Sequence, residues 1–216
     1  SNCQIILGKF ISMMIYGLVL IGILFCFVLF AAFTIKSFDF PLILSGLLGV
    51  YLLICAYAAV GLFMSSLTSY QVVAAVATLG ALAFLNYVGR IGQEVPFIRD
   101  ITYWLSISGR SDELINGLIS SEDVFYFLIV IGLFLMLSIM VILSGKRKLS
   151  KSMAFTRYTG VIVLAMLLGY VTSRPGLQCS YDASSIKLNS LNPVSQEIME
   201  KMEGGLTITT YVNLLE

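Results

Sequence analysis

Residues 40–89 read FPLILSGLLGVYLLICAYAAVGLFMSSLTSYQVVAAVATLGALAFLNYVG and contain no charged side chain. As one helix this stretch would be about twice as long as a bilayer is thick, because each residue adds about 1.5 Å and the hydrocarbon core measures about 30 Å. The chain must therefore reverse direction inside it. The polar run 65–69 supplies turn-forming hydroxyls, which predicts two spanning helices at 41–64 and 70–88.

Three other apolar runs, at 10–34, 124–143 and 154–172, are long enough to cross a bilayer. The second of them follows the acidic helix start 121–123. The third reaches a usable length only if Arg157 extends its guanidinium toward the lipid headgroups. The sequence thus predicts an all-α polytopic membrane protein with about five transmembrane helices.

The composition supports a membrane protein and argues against most enzymes. Hydrophobic residues make up 58% and charged residues 12%, against roughly 45–50% and 25% in soluble domains. The net charge of +1 gives no basic excess for nucleic acid. There is no histidine, and the four cysteines do not have the spacing of a metal site or a disulfide framework. We therefore predict no enzyme activity and no catalytic, cofactor or metal site.

The distribution of Lys and Arg predicts the orientation. The run 146–157 is the densest basic segment and contains no acid, so the loop between the fourth and fifth spans should be cytoplasmic. Alternation then places Lys9 and the turn 65–69 inside, and the loop 89–123 and the C-terminal segment outside. In the outer loop we expect a short amphipathic helix around Trp104 and a second short helix that begins at Ser111.

The polar tail carries signals of a soluble domain. Asn192 and Pro193 open a predicted helix, the glycines at 204–205 close it, and the alternating β-branched run 206–212 predicts a strand. One helix and one strand do not make a complete domain. We therefore expect an extracytoplasmic α/β domain that begins in the tail and continues beyond Glu216, in a chain that is a fragment of a longer one.

Small residues four apart are the main packing signal inside the spans, since the first four spans contain no Asp, Glu, Lys or Arg. Such pairs allow helices to approach closely in lipid, and they serve either ordinary bundle packing or a seam between subunits. The pairs are Ser45 with Gly49, Gly61 with Ser65, and Ala77 with Ala81. On this basis Gly61→Leu should impair assembly or transport, whereas Leu42→Phe, expected to face lipid, should be tolerated.

Four segments together resemble the ABC-2 type transporter permeases. They are GKF at 8–10, GLFMSSLTSYQ at 61–71, NGLI at 116–119 and EDVFYF at 122–127. The gliding-motility kind of permease found in Bacteroidetes is the most similar form.

The resemblance implies a division of the chain into four parts. Residues 1–144 would be the last four spans of a six-helix permease domain, and 145–157 a basic cytoplasmic linker. Residues 158–172 would then be a fifth span and 173–216 the start of the auxiliary gliding-type subunit. Two partners would thus be fused in one chain.

The resemblance also implies partners and a location. It implies a bacterial inner membrane, contact with lipid, a dimer of permease domains, and a separate ABC ATPase that binds ATP and docks on the cytoplasmic side. The main coupling helix would lie upstream of Ser1, so the ATPase-facing candidates in this chain are Lys9, Ser66 and Thr68. The chain has no phosphate-binding loop of its own, because Arg147 follows Gly145 and Lys146. A non-transporting membrane scaffold or assembly protein is the alternative, since the lack of charge in the spans also permits it.

Overall fold

The computed structural model describes residues 2–35, 38–88, 107–144, 151–174, 179–184, 187, 190 and 201. In chain order the elements are α1 (Asn2–Thr34), α2 (Phe40–Leu67), α3 (Gln71–Tyr87), α4 (Ile107–Ile115), β1 (Leu118–Ser120), α5 (Ser121–Ser144), α6 (Lys151–Thr172) and β2 (Ser180–Asp182). The predicted helix around Trp104, most of the basic run, and the predicted helix and strand of the tail lie outside the described residues.

The described helices give the fold of an all-α polytopic membrane protein, as predicted. Among the described residues, four helices are long and apolar enough to cross a membrane, namely α1, α2, α5 and α6. Helix α3 is apolar but has 17 residues, which makes it about 25 Å long. A helix therefore occupies each of the five predicted spans, and α3 is the shortest of them.

Helix α2 lies at the centre of the bundle and packs against α1, α3, α4 and α5. Its most buried side chains are small, and Cys55, Ala56, Ala59 and Val60 are almost completely enclosed. Small side chains let the neighbouring helix backbones approach closely, which favours packing in lipid. Helix α6 packs against α5, and α1 is exposed along most of its length.

The ends of α2 explain where the chain turns. At its start the Asp39 carboxylate accepts a hydrogen bond from the Leu42 N–H at 3.5 Å, and Pro41 stands in the first turn, where its missing N–H costs nothing. At its end the Thr68 hydroxyl accepts a hydrogen bond from the Tyr70 N–H at 3.2 Å. The predicted reversal in the Ser/Thr run is confirmed.

A short antiparallel ribbon joins the start of the tail to the bundle. Strand β1 pairs with β2 in the register Leu118↔Asp182, Ile119↔Tyr181 and Ser120↔Ser180. Gly117 precedes β1 with φ of +89°, a conformation that favours glycine, and its carbonyl accepts from the Ala183 N–H at 2.8 Å. The ribbon was not predicted.

The outer-loop helix also differs from the prediction. Helix α4 already includes Ile107, and Ser111 is buried within it rather than capping its start.

Candidate functional site

Helix α4 lies in a groove on α2 that two of the predicted small residues form. The Ser45 hydroxyl donates a hydrogen bond to the Leu114 carbonyl of α4. A Cβ added to Gly49 would lie only 2.8 Å from the Leu114 Cβ, so the two helices approach as closely as a glycine permits. Leu114 is completely buried. The pair Ser45 and Gly49 therefore receives a short helix of the loop, not another spanning helix.

The same short helix carries a buried arginine that joins it to α5. One terminal nitrogen of Arg110 lies 2.9 Å from Asp123 Oδ1 and 2.8 Å from Glu122 Oε1. The Ser173 hydroxyl, just after α6, donates to Glu122 Oε1 at 2.8 Å. Arg110 is 6% exposed and Asp123 1% exposed. We call these four residues the Arg110 cluster, and it ties three helices together.

The surroundings of Arg110 favour its charged form. Burial by itself lowers the pKa of the guanidinium, but the hydrogen bonds that it donates to Asp123 and Glu122 and the negative charges of these carboxylates outweigh that effect, so the pKa is raised above its ordinary value. The Tyr126 ring lies 5.2 Å from the guanidinium carbon, which adds a cation–π contact. Glu113 is a further acid within electrostatic reach of Asp123. Acidic groups thus surround this cation.

The chemistry available at the cluster is electrostatic. It contains one guanidinium, two carboxylates and one hydroxyl, and the chain has no histidine to activate a nucleophile. In the part of the chain that the structure describes, no group of three or more His, Cys, Asp or Glu side chains could hold a metal ion. The ion pairs and the Ser173 hydrogen bond link α4, α5 and the end of α6.

The other predicted packing residues lie in looser surroundings. A Cβ added to Gly61 would meet Thr78 Cγ2 of α3 at 3.6 Å, which is ordinary van der Waals contact. Ser65 and Ala77 are exposed, and Ala81 is half-buried against the core. Neither of these two pairs therefore makes a close helix contact like the one that Ser45 and Gly49 make with Leu114 of α4.

The expectation that Leu42 faces lipid is wrong. Its Cδ1 would lie 2.5 Å from a Cβ added to Gly117, so Leu42 packs beneath the glycine turn that leads into β1. Leu79, exposed on α3, is a suitable lipid-facing control.

A small cleft lies at the end of the bundle away from the Arg110 cluster. Two of the three ATPase-facing candidates line it. Its lining includes Lys9 of α1, Ser65 and Ser66 of α2, and Ile142 of α5. Lys9 is exposed. Thr68 is not part of the lining and instead forms the end of α2. The structure therefore brings Lys9 and Ser66 together.

A polar pair between α2 and α3 was also missed from the sequence. The Tyr57 hydroxyl donates to Asn86 Oδ1 at 2.9 Å, and Asn86 Nδ2 donates to the Leu82 carbonyl at 2.8 Å. Such bonds between helices stabilise packing in lipid, where the alternative is an unpaired polar group.

Comparisons of the chain with protein-family models, with curated proteins and with solved structures find no match. The fold and the site define the class of the protein as a helical membrane protein.

Proposed function

We propose that this chain is a membrane-spanning permease subunit of an ATP-driven ABC-2 type export system, which forms the translocation pathway with a separate ATPase. The proposal starts from the segments at 8–10, 61–71, 116–119 and 122–127 that resemble these permeases. The observation that carries it is the cleft of Lys9, Ser66 and Ile142, because residues distant in sequence there line one cleft beside a turn, with Lys9 exposed. A partner that docks on the membrane face needs such a surface.

The basic run supports the cytoplasmic assignment of that cleft. Ile142 lines the cleft and lies two residues before the end of α5, so the run 146–157 begins at the same end of the bundle. Cytoplasmic loops next to spanning helices carry an excess of Lys and Arg. The tail begins at the other end, where the Ser121 N–H donates to the Cys179 carbonyl at 2.9 Å. We accordingly propose an inner-membrane location, α3 as a further span, and an extracytoplasmic tail.

Cysteine labelling tests this orientation. In intact cells a cysteine placed at position 148, in an otherwise cysteine-free chain, should not react with a membrane-impermeant maleimide. Native Cys179, kept as the only cysteine, should react because it is exposed at the opposite end. Modification of position 148 together with protection of Cys179 would reverse the proposed orientation.

Association with an ATPase tests the function itself. The purified chain should not hydrolyse ATP alone, because it has no phosphate-binding loop. A phosphate-binding-loop ATPase encoded beside it should co-purify, and Lys9→Glu should weaken that association at least about tenfold, since it reverses a charge in the docking surface.

The matched control is Arg174→Glu, which reverses an exposed charge beyond the far end of α6. It should leave ATPase association unchanged. Failure of any such ATPase to bind the wild-type chain would favour the alternative of a non-transporting scaffold. Specific ATP hydrolysis by the chain alone would also contradict the proposal, which assigns hydrolysis to a separate ATPase.

A further inference from the structure

An apolar cavity of about 810 Å³ lies between α1, α2 and the ribbon. Its volume is in the range of small-molecule and cofactor sites, roughly 300–1,000 Å³. Apart from Ser45 the walls are aliphatic and aromatic, and the ribbon contributes Ile119 and Tyr181. The lining includes Leu18, Ile21 and Gly22 of α1, Leu44 and Leu48 of α2, and Tyr181 of β2.

Two contacts between α1 and α2 bound the cavity along the helices. On one side a Cβ added to Gly17 would lie 3.1 Å from Ile54 Cγ2, so the two helices touch there. On the other side the rings of Phe25 and Phe40 meet edge to face, with centroids 6.3 Å apart. Between these two contacts α1 and α2 lie apart and leave a gap. Among the described residues that line this gap, none belongs to α3 or α5.

The length of the cavity matches one leaflet of a bilayer. Along α2 its lining extends from Pro41 to Tyr51, a distance of about 15 Å at 1.5 Å per residue. The hydrocarbon core of a bilayer is about 30 Å thick, so the cavity covers about half of it, on the side of the ribbon. A ligand of the cavity should therefore be a chain that enters from that leaflet.

A cation lies next to the ribbon side of the cavity, against one of its lining side chains. The Lys187 ammonium lies 5.3 Å from the centroid of the Tyr181 ring, and Tyr181 lines the cavity. Lys187 is exposed, and its ammonium donates one hydrogen bond to the Asp182 carbonyl at 2.8 Å. An ammonium has three N–H donors, so it has capacity to bind an anion at the same time.

We propose that this cavity binds an anionic phospholipid of the leaflet next to the ribbon. One acyl chain occupies the apolar space between α1 and α2, and the phosphate is held by Lys187. The aliphatic lining fits an acyl chain, the one-leaflet length fits its reach, and the ammonium at the rim complements the negative headgroup. The proposal requires the chain to lie in a membrane, and it does not depend on the export function.

Native mass spectrometry of the full chain tests the proposal. After delipidation, the chain is incubated with phosphatidylglycerol or with phosphatidylcholine of the same acyl chains. We expect one phosphatidylglycerol to be retained in preference to phosphatidylcholine. Lys187→Gln should weaken that retention about tenfold, because it removes a charge-assisted contact to the phosphate. Gly22→Trp should abolish it by filling the cavity, where an added Cβ meets nothing within 4 Å.

Two controls separate this site from ordinary lipid contact. Arg174→Gln removes an exposed cation on the same side of the bundle, and Leu79→Trp enlarges a lipid-facing side chain of α3, and neither should change retention. Equal retention of both lipids by wild type and by Lys187→Gln would overturn the proposal, even if Gly22→Trp does not fold. If the chain forms a dimer, and Gly22→Trp dissociates it without changing lipid retention, the cavity binds a second copy of the chain and not a lipid.

Discussion

Arg110→Met should destabilise the folded bundle by about 3–5 kcal/mol, because it leaves the buried Asp123 carboxylate without its cation. Asp123 is 1% exposed, so its charge has little access to water once Arg110 is removed. Glu122, whose side chain is 20% exposed, can still be partly hydrated. The loss should therefore come mainly from Asp123 and should loosen α4 from α5.

The measurement is the thermal stability of the purified chain in detergent, followed as the loss of its monodisperse species on heating. Arg174→Met is the matched control, because Arg174 is exposed and contacts its own neighbour Tyr170. It should change stability by less than about 0.5 kcal/mol.

A double variant separates the buried charge from simple loss of packing. Arg110→Met combined with Asp123→Leu should recover most of the lost stability, because replacing both members of a buried ion pair by apolar side chains is often neutral or stabilising. An Arg110→Met chain as stable as wild type would show that the cluster does not hold the helices together.

The spanning helices were predictable because their signal is local. The length of an apolar run decides whether a helix can cross a bilayer, and the hydroxyl-rich turn between α2 and α3 is read directly from adjacent residues. The observed ends differ mainly where helices continue past the apolar run. Helix α1 begins at Asn2, well before the predicted residue 10, since an exposed lysine such as Lys9 and the residues before it can continue a helix beyond the hydrocarbon.

The ribbon was not predictable, because its pairing is not local. Strands β1 and β2 have three residues each and lie far apart in the chain, so neither shows an alternating pattern long enough to indicate a strand. In the sequence Gly117 belongs to NGLI at 116–119, one of the segments that resemble the permeases, and nothing beside it indicates a strand. Its φ of +89° and its hydrogen bond with Ala183 depend on where the tail returns to the bundle.

The Arg110 cluster was missed for a related reason. Glu122 and Asp123 are favourable at the start of any helix, and that local role accounted for them without a partner. Their burial depends on α4 docking against α2 and α5. The small-residue pairs were only partly informative for the same reason. Their spacing indicates a helix surface that another element can approach closely, but it does not identify that element.

Gly49→Leu should be the most damaging of the glycine substitutions on α2. The pair Ser45 and Gly49 should thus matter more for stability than the pair Gly61 and Ser65. Even an alanine at position 49 would bring its Cβ to 2.8 Å from the Leu114 Cβ, so α4 would have to move. A leucine adds more atoms to the same contact. Overpacking of this kind costs about 1–3 kcal/mol, and the Ser45 hydrogen bond to the Leu114 carbonyl would be lost with it.

Gly61 on the same helix provides the control for this effect. Its added Cβ would meet Thr78 at 3.6 Å, so Gly61→Ala should lower stability by no more than about 0.5 kcal/mol, whereas Gly49→Ala should already show a measurable loss. Thermal stability in detergent compares the two. Cysteines at positions 45 and 114 then report the docking of α4 directly, since their crosslinking should fall when position 49 is enlarged. Equal stability of Gly49→Ala and Gly61→Ala, with crosslinking unchanged, would show that the close approach of α4 to α2 is not what holds this end of the bundle.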